Sequence, residues 1–153
     1  MYNLIWSREE LTTQKLGTFG EYYAKMELAS YGMSIYTSEV DDHGIDFVAE
    51  TQKSFLKFQV KSIRTSTTKY VFILEKNFDI SDESLFLYLI LLTDNEHPKS
   101  YIIPASAWKG RSDSKLFVYR GNYDKPEYGL NLSKKNIAEL KPYSLENMVK
   151  NLS

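Results

Sequence analysis

At 153 residues the chain is long enough to bury one sizeable core and too short for two, and 42% hydrophobic with 14% aromatic residues predicts a folded rather than a disordered protein. A formal net charge of −1 gives no basic footprint for non-specific nucleic-acid binding. The absence of cysteine excludes disulfides, thiolate zinc sites and a cysteine nucleophile, and leaves oxygen-ligated metals open.

From the N-terminus, no basic segment precedes a long apolar one, and the longest apolar run, Leu85 to Leu92, is far short of a membrane span. A cytoplasmic protein without a membrane partner is expected. Residues 12 to 31 predict a helix, with Thr12 or Thr13 as N-cap and Gly32 as the left-handed stop. One stripe is Leu16, Phe19, Tyr23 and Met26; another is Gly17, Gly20, Ala24, Leu28 and Tyr31, so packing on two sides is expected. Glu21 lies beside the second stripe, positioned to look along a sheet edge.

Strands are predicted at Met33 to Tyr36, Ile45 to Glu50 and Phe55 to Ile63, with a loop from Thr37 to His43. In the third strand Leu56, Phe58 and Val60 alternate with Lys57, Gln59 and Lys61, one set facing the core and one polar. If Gln52 and Lys53 form a two-residue loop, Thr51 pairs with Ser54, and the same register places Asp46 opposite Gln59 with Lys61 next on that face. Charge switches across this hairpin. Glu39, Asp41, Asp42, Asp46 and Glu50 are followed by Lys53, Lys57, Lys61, Arg64, Lys69 and Lys76 with only Glu75 opposing.

Further strands are expected at Tyr70 to Leu74, Phe86 to Leu92 (where a helix also fits the apolar run), Tyr101 to Ile103 and Leu116 to Tyr119, with a short helix at Ala105 to Trp108. Beyond Tyr119, Gly121, Pro126 and Gly129 predict a loosely ordered stretch. Ser133 and Ser144 are positioned to open short helices, the second with Leu145, Met148, Val149 and Leu152 on one face. A single domain is expected, its core about residues 12–108 and the rest a C-terminal extension of unknown role.

The helix Glu21 in Gly20-Glu21-Tyr22-Tyr23-Ala24, the strand Gly44-Ile45-Asp46 and Gln59-Val60-Lys61 together resemble the restriction-endonuclease-like, PD-(D/E)XK, nucleases, with Holliday-junction resolvases and Mrr-like enzymes as points of comparison. The resemblance covers roughly residues 15 to 104 and implies an α/β fold with a central mixed β-sheet flanked by helices. Two departures stand out: Ile45 replaces the usual proline, and Gln59 replaces the second carboxylate, as it does in some members. The resemblance implies Mg²⁺- or Mn²⁺-dependent cleavage of DNA, a role in restriction, defence or repair, and a homodimer.

The chemistry fits these residues. Hydrolysing a phosphodiester needs a nucleophilic water and stabilisation of charge on the phosphoryl and leaving oxygens, all of which a divalent metal supplies. Asp46 is the expected principal ligand, with the Gln59 and Val60 carbonyls as neutral ones and Glu21 holding a metal-bound water or second ion. Lys61 is expected to orient the water or stabilise developing charge. Lys57, Arg64 and Lys69 are candidates for phosphate contact, and Asp42 is an accessory candidate, whereas His43, Glu39 and His97 read as polar loop residues. Two alternatives remain: an inactive nucleic-acid-binding or interaction module of the same fold, and an RNA nuclease.

Overall fold

The structure is a computed structural model that describes residues 4–37, 44–111 and 114–152. Chain order is α1 (Thr13–Ser30), β1 (Ser34–Thr37), β2 (Phe47–Glu50), β3 (Phe55–Arg64), β4 (Tyr70–Leu74), β5 (Leu85–Leu92), β6 (Lys99–Pro104), β7 (Phe117–Arg120), β8 (Glu127–Asn131), α2 (Lys134–Ile137) and α3 (Leu145–Leu152). Short 3₁₀ turns follow β4, β6 and α2. Among the described residues no helix is long and apolar enough to cross a membrane.

Five strands form a central mixed sheet in the order β1-β2-β3-β5-β6, antiparallel except between β3 and β5. One face is covered by α1 and α3, whose Leu16, Ala24, Leu28, Leu145 and Val149 meet Phe58, Tyr88, Ile90 and Ile102 of the sheet. The other face packs Leu87, Leu89 and Ile103 against a second, three-stranded sheet in the order β4-β8-β7, with Trp108 and Leu140 closing the layer. Both faces of β5 are therefore covered, and all eight of its residues are buried. This settles the strand-or-helix ambiguity of the apolar run, since a strand shielded on both sides reads as continuous hydrophobic sequence.

The first helix begins where its cap predicts. Thr12 Oγ1 accepts the Lys15 N–H at 3.3 Å, and Gly32 ends the helix at φ 90°. Its packing is simpler than the two-stripe expectation. Leu16, Gly20, Ala24 and Leu28, a straight i, i+4 line drawn from both stripes, are buried, while Met26 is 60% exposed. Phe19 and Tyr23 are only partly covered, with Trp6 of the N-terminal segment 5.2 Å from the Phe19 ring.

Close approach of α1 to β3 is set by two small residues. Ser62 Oγ donates to Leu16 O at 2.9 Å, and a Cβ on Gly20 would stand 2.5 Å from Ser62 Oγ and 2.7 Å from Ser62 Cβ. At the helix's far end, Glu27 accepts from the Tyr88 hydroxyl at 2.6 Å and from Ser100. Burial first, then the Glu27 charge and hydrogen bond, push the Tyr88 phenol far above its ordinary range, so it stays a neutral donor.

The stretch after Tyr119 is a correction. The segment expected to be loose contains β8, the central strand of the second sheet, with Glu127, Tyr128, Gly129 and Leu130 buried. Glu127 is satisfied by the Tyr70 hydroxyl at 2.6 Å, and Gly129 lies beneath the Tyr70 ring, where an added Cβ would meet Tyr70 Oη at 2.1 Å. Trp108 Nε1 donates to Gly129 O at 3.0 Å. The glycine that read as a turn is a point of close packing.

The two glycines of α1 make opposite predictions. Gly17 has nothing within 4 Å of an added Cβ. Gly17→Ala is therefore expected to stabilise by up to about 1 kcal/mol through helix propensity. Gly20→Ala gains the same propensity but forces α1 off Ser62, a crowding cost of about 1–3 kcal/mol. Urea midpoints should rise for the first substitution and fall for the second.

Candidate active site

The hairpin has the register expected from its turn. Phe47 pairs with Phe58 and Glu50 with Phe55, and Thr51 N–H bonds Ser54 O at 2.8 Å. Carrying that register one step further sets Asp46 against Gln59, but here the ladder changes character. The Asp46 N–H donates to Phe58 O at 2.9 Å, and Asp46 Oδ2 accepts the Val60 N–H at 2.7 Å. The aspartate side chain thus occupies the place of the next backbone acceptor of β2.

Alternation along β3 explains why this edge is open. Lys57 N–H donates to Ser84 O and Thr65 N–H to Leu92 O, so odd-numbered residues serve the parallel ladder with β5. Even-numbered residues address β2, and β2 begins only at Phe47. The Val60 carbonyl therefore projects toward the edge that the Asp46 carboxylate fills.

Gln59 points to the face of the second sheet. A Cβ on Gly44 would lie 2.9 Å from Gln59 Nε2 and 3.2 Å from Asn77 Cβ, so the amide packs close to the Gly44 backbone, and Gly44 itself has φ +75°. Gln59 Oε1 is buried and makes no hydrogen bond. A buried carbonyl oxygen without a donor is costly, of order 1–3 kcal/mol, and is an acceptor awaiting a partner. Gln59, Asp46 and the Val60 carbonyl are oxygen donors of the kind a hard divalent cation takes. Among the described residues no cluster of three or more Asp, Glu, His or Cys forms a metal site, so a site here depends on the amide and backbone oxygens.

Lys61 lies two residues along on the same face of β3, half-buried, and pairs with no carboxylate among the described residues. Glu21 is turned along its own helix, in an i, i+4 ion pair with Lys25 at 3.0 Å. Asp46, Gln59, Val60 and Lys61 are thus grouped on adjoining strands, while Glu21 is held by Lys25. Glu39, Asp42 and His43 lie outside the described residues.

The predicted phosphate contacts divide. Lys69 is exposed and donates to Thr65 O at 2.6 Å. Arg64 is directed inward, Nε donating to Trp6 O and Nη2 to Leu11 O, so it ties the N-terminal segment to β3. Lys57 forms an ion pair with Asp82. Neither role was readable from sequence, because each partner is remote along the chain and is itself a loop residue or a backbone carbonyl.

No family model and no curated protein matches the chain. Among solved structures, a bacterial homing endonuclease, I-Ssp6803I, aligns with a TM-score of 0.56 at 17% identity, over 92% of this chain and 93% of that one. Hjc, a Holliday junction resolvase from the archaeal hyperthermophile Archaeoglobus fulgidus, aligns with a TM-score of 0.48 at 12% identity, over 75% of this chain and 83% of that one. The fold is restriction-endonuclease-like, a central mixed sheet flanked by helices. Coverage of 92% also extends the likeness well past residue 104, where the sequence resemblance stops.

The Lys57–Asp82 pair yields a pH prediction. Burial raises the Asp82 pKa, but hydrogen bonds from Lys57 and Ser84, with the Lys57 charge, outweigh it and hold the pKa at about 2. Because the folded value lies below the unfolded one of about 3.9, the stabilisation is present above about pH 4 and is lost as pH falls toward 2. The side chains are 33% and 26% exposed for Lys57 and Asp82. Solvent screening therefore reduces the pair's worth to about 1 kcal/mol. In urea titrations Asp82→Asn should lower the unfolding free energy by that amount at pH 7 and by much less at pH 2.

Proposed function

We propose that the protein is a divalent-metal-dependent endonuclease that hydrolyses DNA phosphodiesters at the Asp46–Gln59–Lys61 edge of β3. The observation that carries this reading is the Asp46 carboxylate fixed on the N–H of Val60, whose chain neighbour Gln59 keeps a buried, unbonded Oε1. The fold shared with a homing endonuclease supports it.

Asp46 has a double task. One carboxylate oxygen takes the Val60 N–H, which locks the rotamer. The other oxygen, with Gln59 Oε1 and the Val60 carbonyl, would hold Mg²⁺ or Mn²⁺. When bound, such an ion polarises a phosphoryl oxygen and makes a coordinated water more acidic. Lys61 presents a compact cation on the same face, suited to orient the attacking water and to stabilise negative charge as it develops. Gly44 admits the Gln59 amide against the backbone, so it shapes the site without touching substrate. Glu21 enters the chemistry only by leaving Lys25, which makes it an accessory group.

The charge count favours phosphate. Asp46 and Lys61 cancel, and Gln59 is neutral, so an incoming phosphate is not opposed by a second carboxylate. The corresponding cost is weaker cation binding.

Asp46→Asn is the informative variant, because its amide oxygen can still accept the Val60 N–H and preserve the fold. With Mg²⁺ or Mn²⁺ present, Asp46→Asn and Lys61→Ala are expected to slow plasmid cleavage by about 100-fold or more, and Glu21→Ala by less. Gln59→Glu should tighten Mn²⁺ binding in calorimetry, a readout independent of turnover. A folded wild type that cuts neither plasmid nor branched DNA and binds no metal through Asp46 is instead an inactive module of this fold. Cleavage confined to RNA assigns the other alternative.

A further inference from the structure

A second feature lies on the opposite layer from α1. Between the second sheet and the turn after β6 is a cavity of about 640 Å³, walled by Trp108, Phe117, Tyr119 and Tyr128 and bordered by Lys109 and Arg111. That volume suits a ligand of nucleotide size, within the usual range of about 300–1,000 Å³. Its rings are fixed by partners outside the cavity. Trp108 Nε1 donates to Gly129 O at 3.0 Å, and the Tyr119 and Tyr128 hydroxyls both donate to Glu75 Oε1, at 3.1 and 3.4 Å. The polar tips are therefore engaged, Trp108, Phe117 and Tyr128 are buried against one another, and Tyr119, at 53% exposure, is the ring open to a ligand.

Carboxylates stand near the cavity without lining it: Glu75 takes the Tyr119 and Tyr128 hydroxyls, and Asp79 lies within electrostatic reach of Lys109. Among the described residues that line it there are two cations and no carboxylate, in a protein whose net charge is −1. Arg111 is already positioned over the Phe117 ring, 5.1 Å from its centroid, and Lys109 has no ion-pair partner among the described residues. Aromatic walls with a cationic rim fit a planar ring that carries a nearby anion, which is the chemistry of a nucleoside phosphate.

The cavity is also close to the candidate site by chain length. Asn77 lies beside Gly44, where an added Cβ would stand 3.2 Å from Asn77 Cβ, and Ile80, three residues on, lines the cavity. Three residues span at most about 11 Å, and Phe78 between them packs edge-on against Trp108 at 5.3 Å.

We infer that this cavity binds one unstacked nucleotide of a nucleic-acid strand, its base against Tyr119 and its phosphate against Lys109 and Arg111. The strand as source rests on the nuclease reading of the neighbouring site; the nucleotide chemistry of the cavity does not. A duplex has to open or extrude a base to fill it, so single-stranded or distorted DNA is the preferred form.

Trp108 is a built-in reporter, since the only other tryptophan is Trp6. In a Trp6→Phe background without metal, an eight-residue deoxyadenosine oligonucleotide should quench Trp108 emission saturably, at least tenfold more tightly than its duplex. Lys109→Glu, an exposed position, and Tyr119→Ala should each weaken this binding about tenfold or more while melting temperature stays within a degree or two. Asp46→Asn should leave the quench unchanged. Absence of saturable quenching, or quenching insensitive to both Lys109→Glu and Tyr119→Ala, overturns the inference. Quenching by deoxyadenosine monophosphate alone, with no response to the oligonucleotide, overturns the strand assignment. Intact quenching in a protein that cleaves nothing supports the cavity and defeats the nuclease reading.

Discussion

The bond from the Val60 N–H to the Asp46 carboxylate is the constraint on which the site depends. A strand ladder that simply continued would satisfy Val60 with a backbone carbonyl and leave no room for a ligand. Here the ladder stops at Phe47 and a side chain supplies the acceptor, so one carboxylate completes the sheet's edge. The arrangement also transmits position. Any change in the β2–β3 register moves Asp46 to the opposite face and removes the acceptor from Val60 together.

The layers on either side hold that edge in place. On one side, Gly20 and Ser62 bring α1 close enough for Leu16 O to accept the Ser62 hydroxyl. On the other, the second sheet and Trp108 press on β5, which in turn fixes β3 through its parallel ladder. Arg64 ties the N-terminal segment across the C-terminal end of β3. Rigid elements of this kind are what a metal site needs, since ligands displaced by even an ångström lose coordination geometry.

The parts of this molecule that were legible in sequence are the local ones. Thr12, Gly32, the two-residue turn at Gln52-Lys53 and the alternation of β3 each act within a few residues, and from them followed α1 and the β2–β3 register, whereas Asp46 leaves the ladder, its N–H on Phe58 O and its carboxylate on the Val60 N–H. The illegible parts depend on distant partners. β8 is held by Tyr70 and Trp108, far away in sequence, and its Gly129 serves close packing where local rules read a turn. Lys57 and Arg64 read as free cations on an exposed strand because nothing local reveals Asp82 or the carbonyls of Trp6 and Leu11. Burial on both faces of β3 was missed for the same reason: Ile63 lies on the polar set's own face and is covered by a sheet whose central strand was not foreseen.

Replacing a second carboxylate with Gln59 changes the balance of the whole surface as well as the site. With Lys57 paired to Asp82 and Arg64 turned to backbone carbonyls, two of the basic residues that follow the hairpin contribute little to attracting a polyanion. A site containing two carboxylates would then repel phosphate with few cations to offset it. A neutral amide removes that repulsion, and the lost ligand charge is compensated in part by burial, which strengthens the interaction of Gln59 Oε1 with any cation that reaches it. On the proposed reading, a neutral amide in the site accords with a chain whose acidic and basic residues nearly cancel, at a formal net charge of −1.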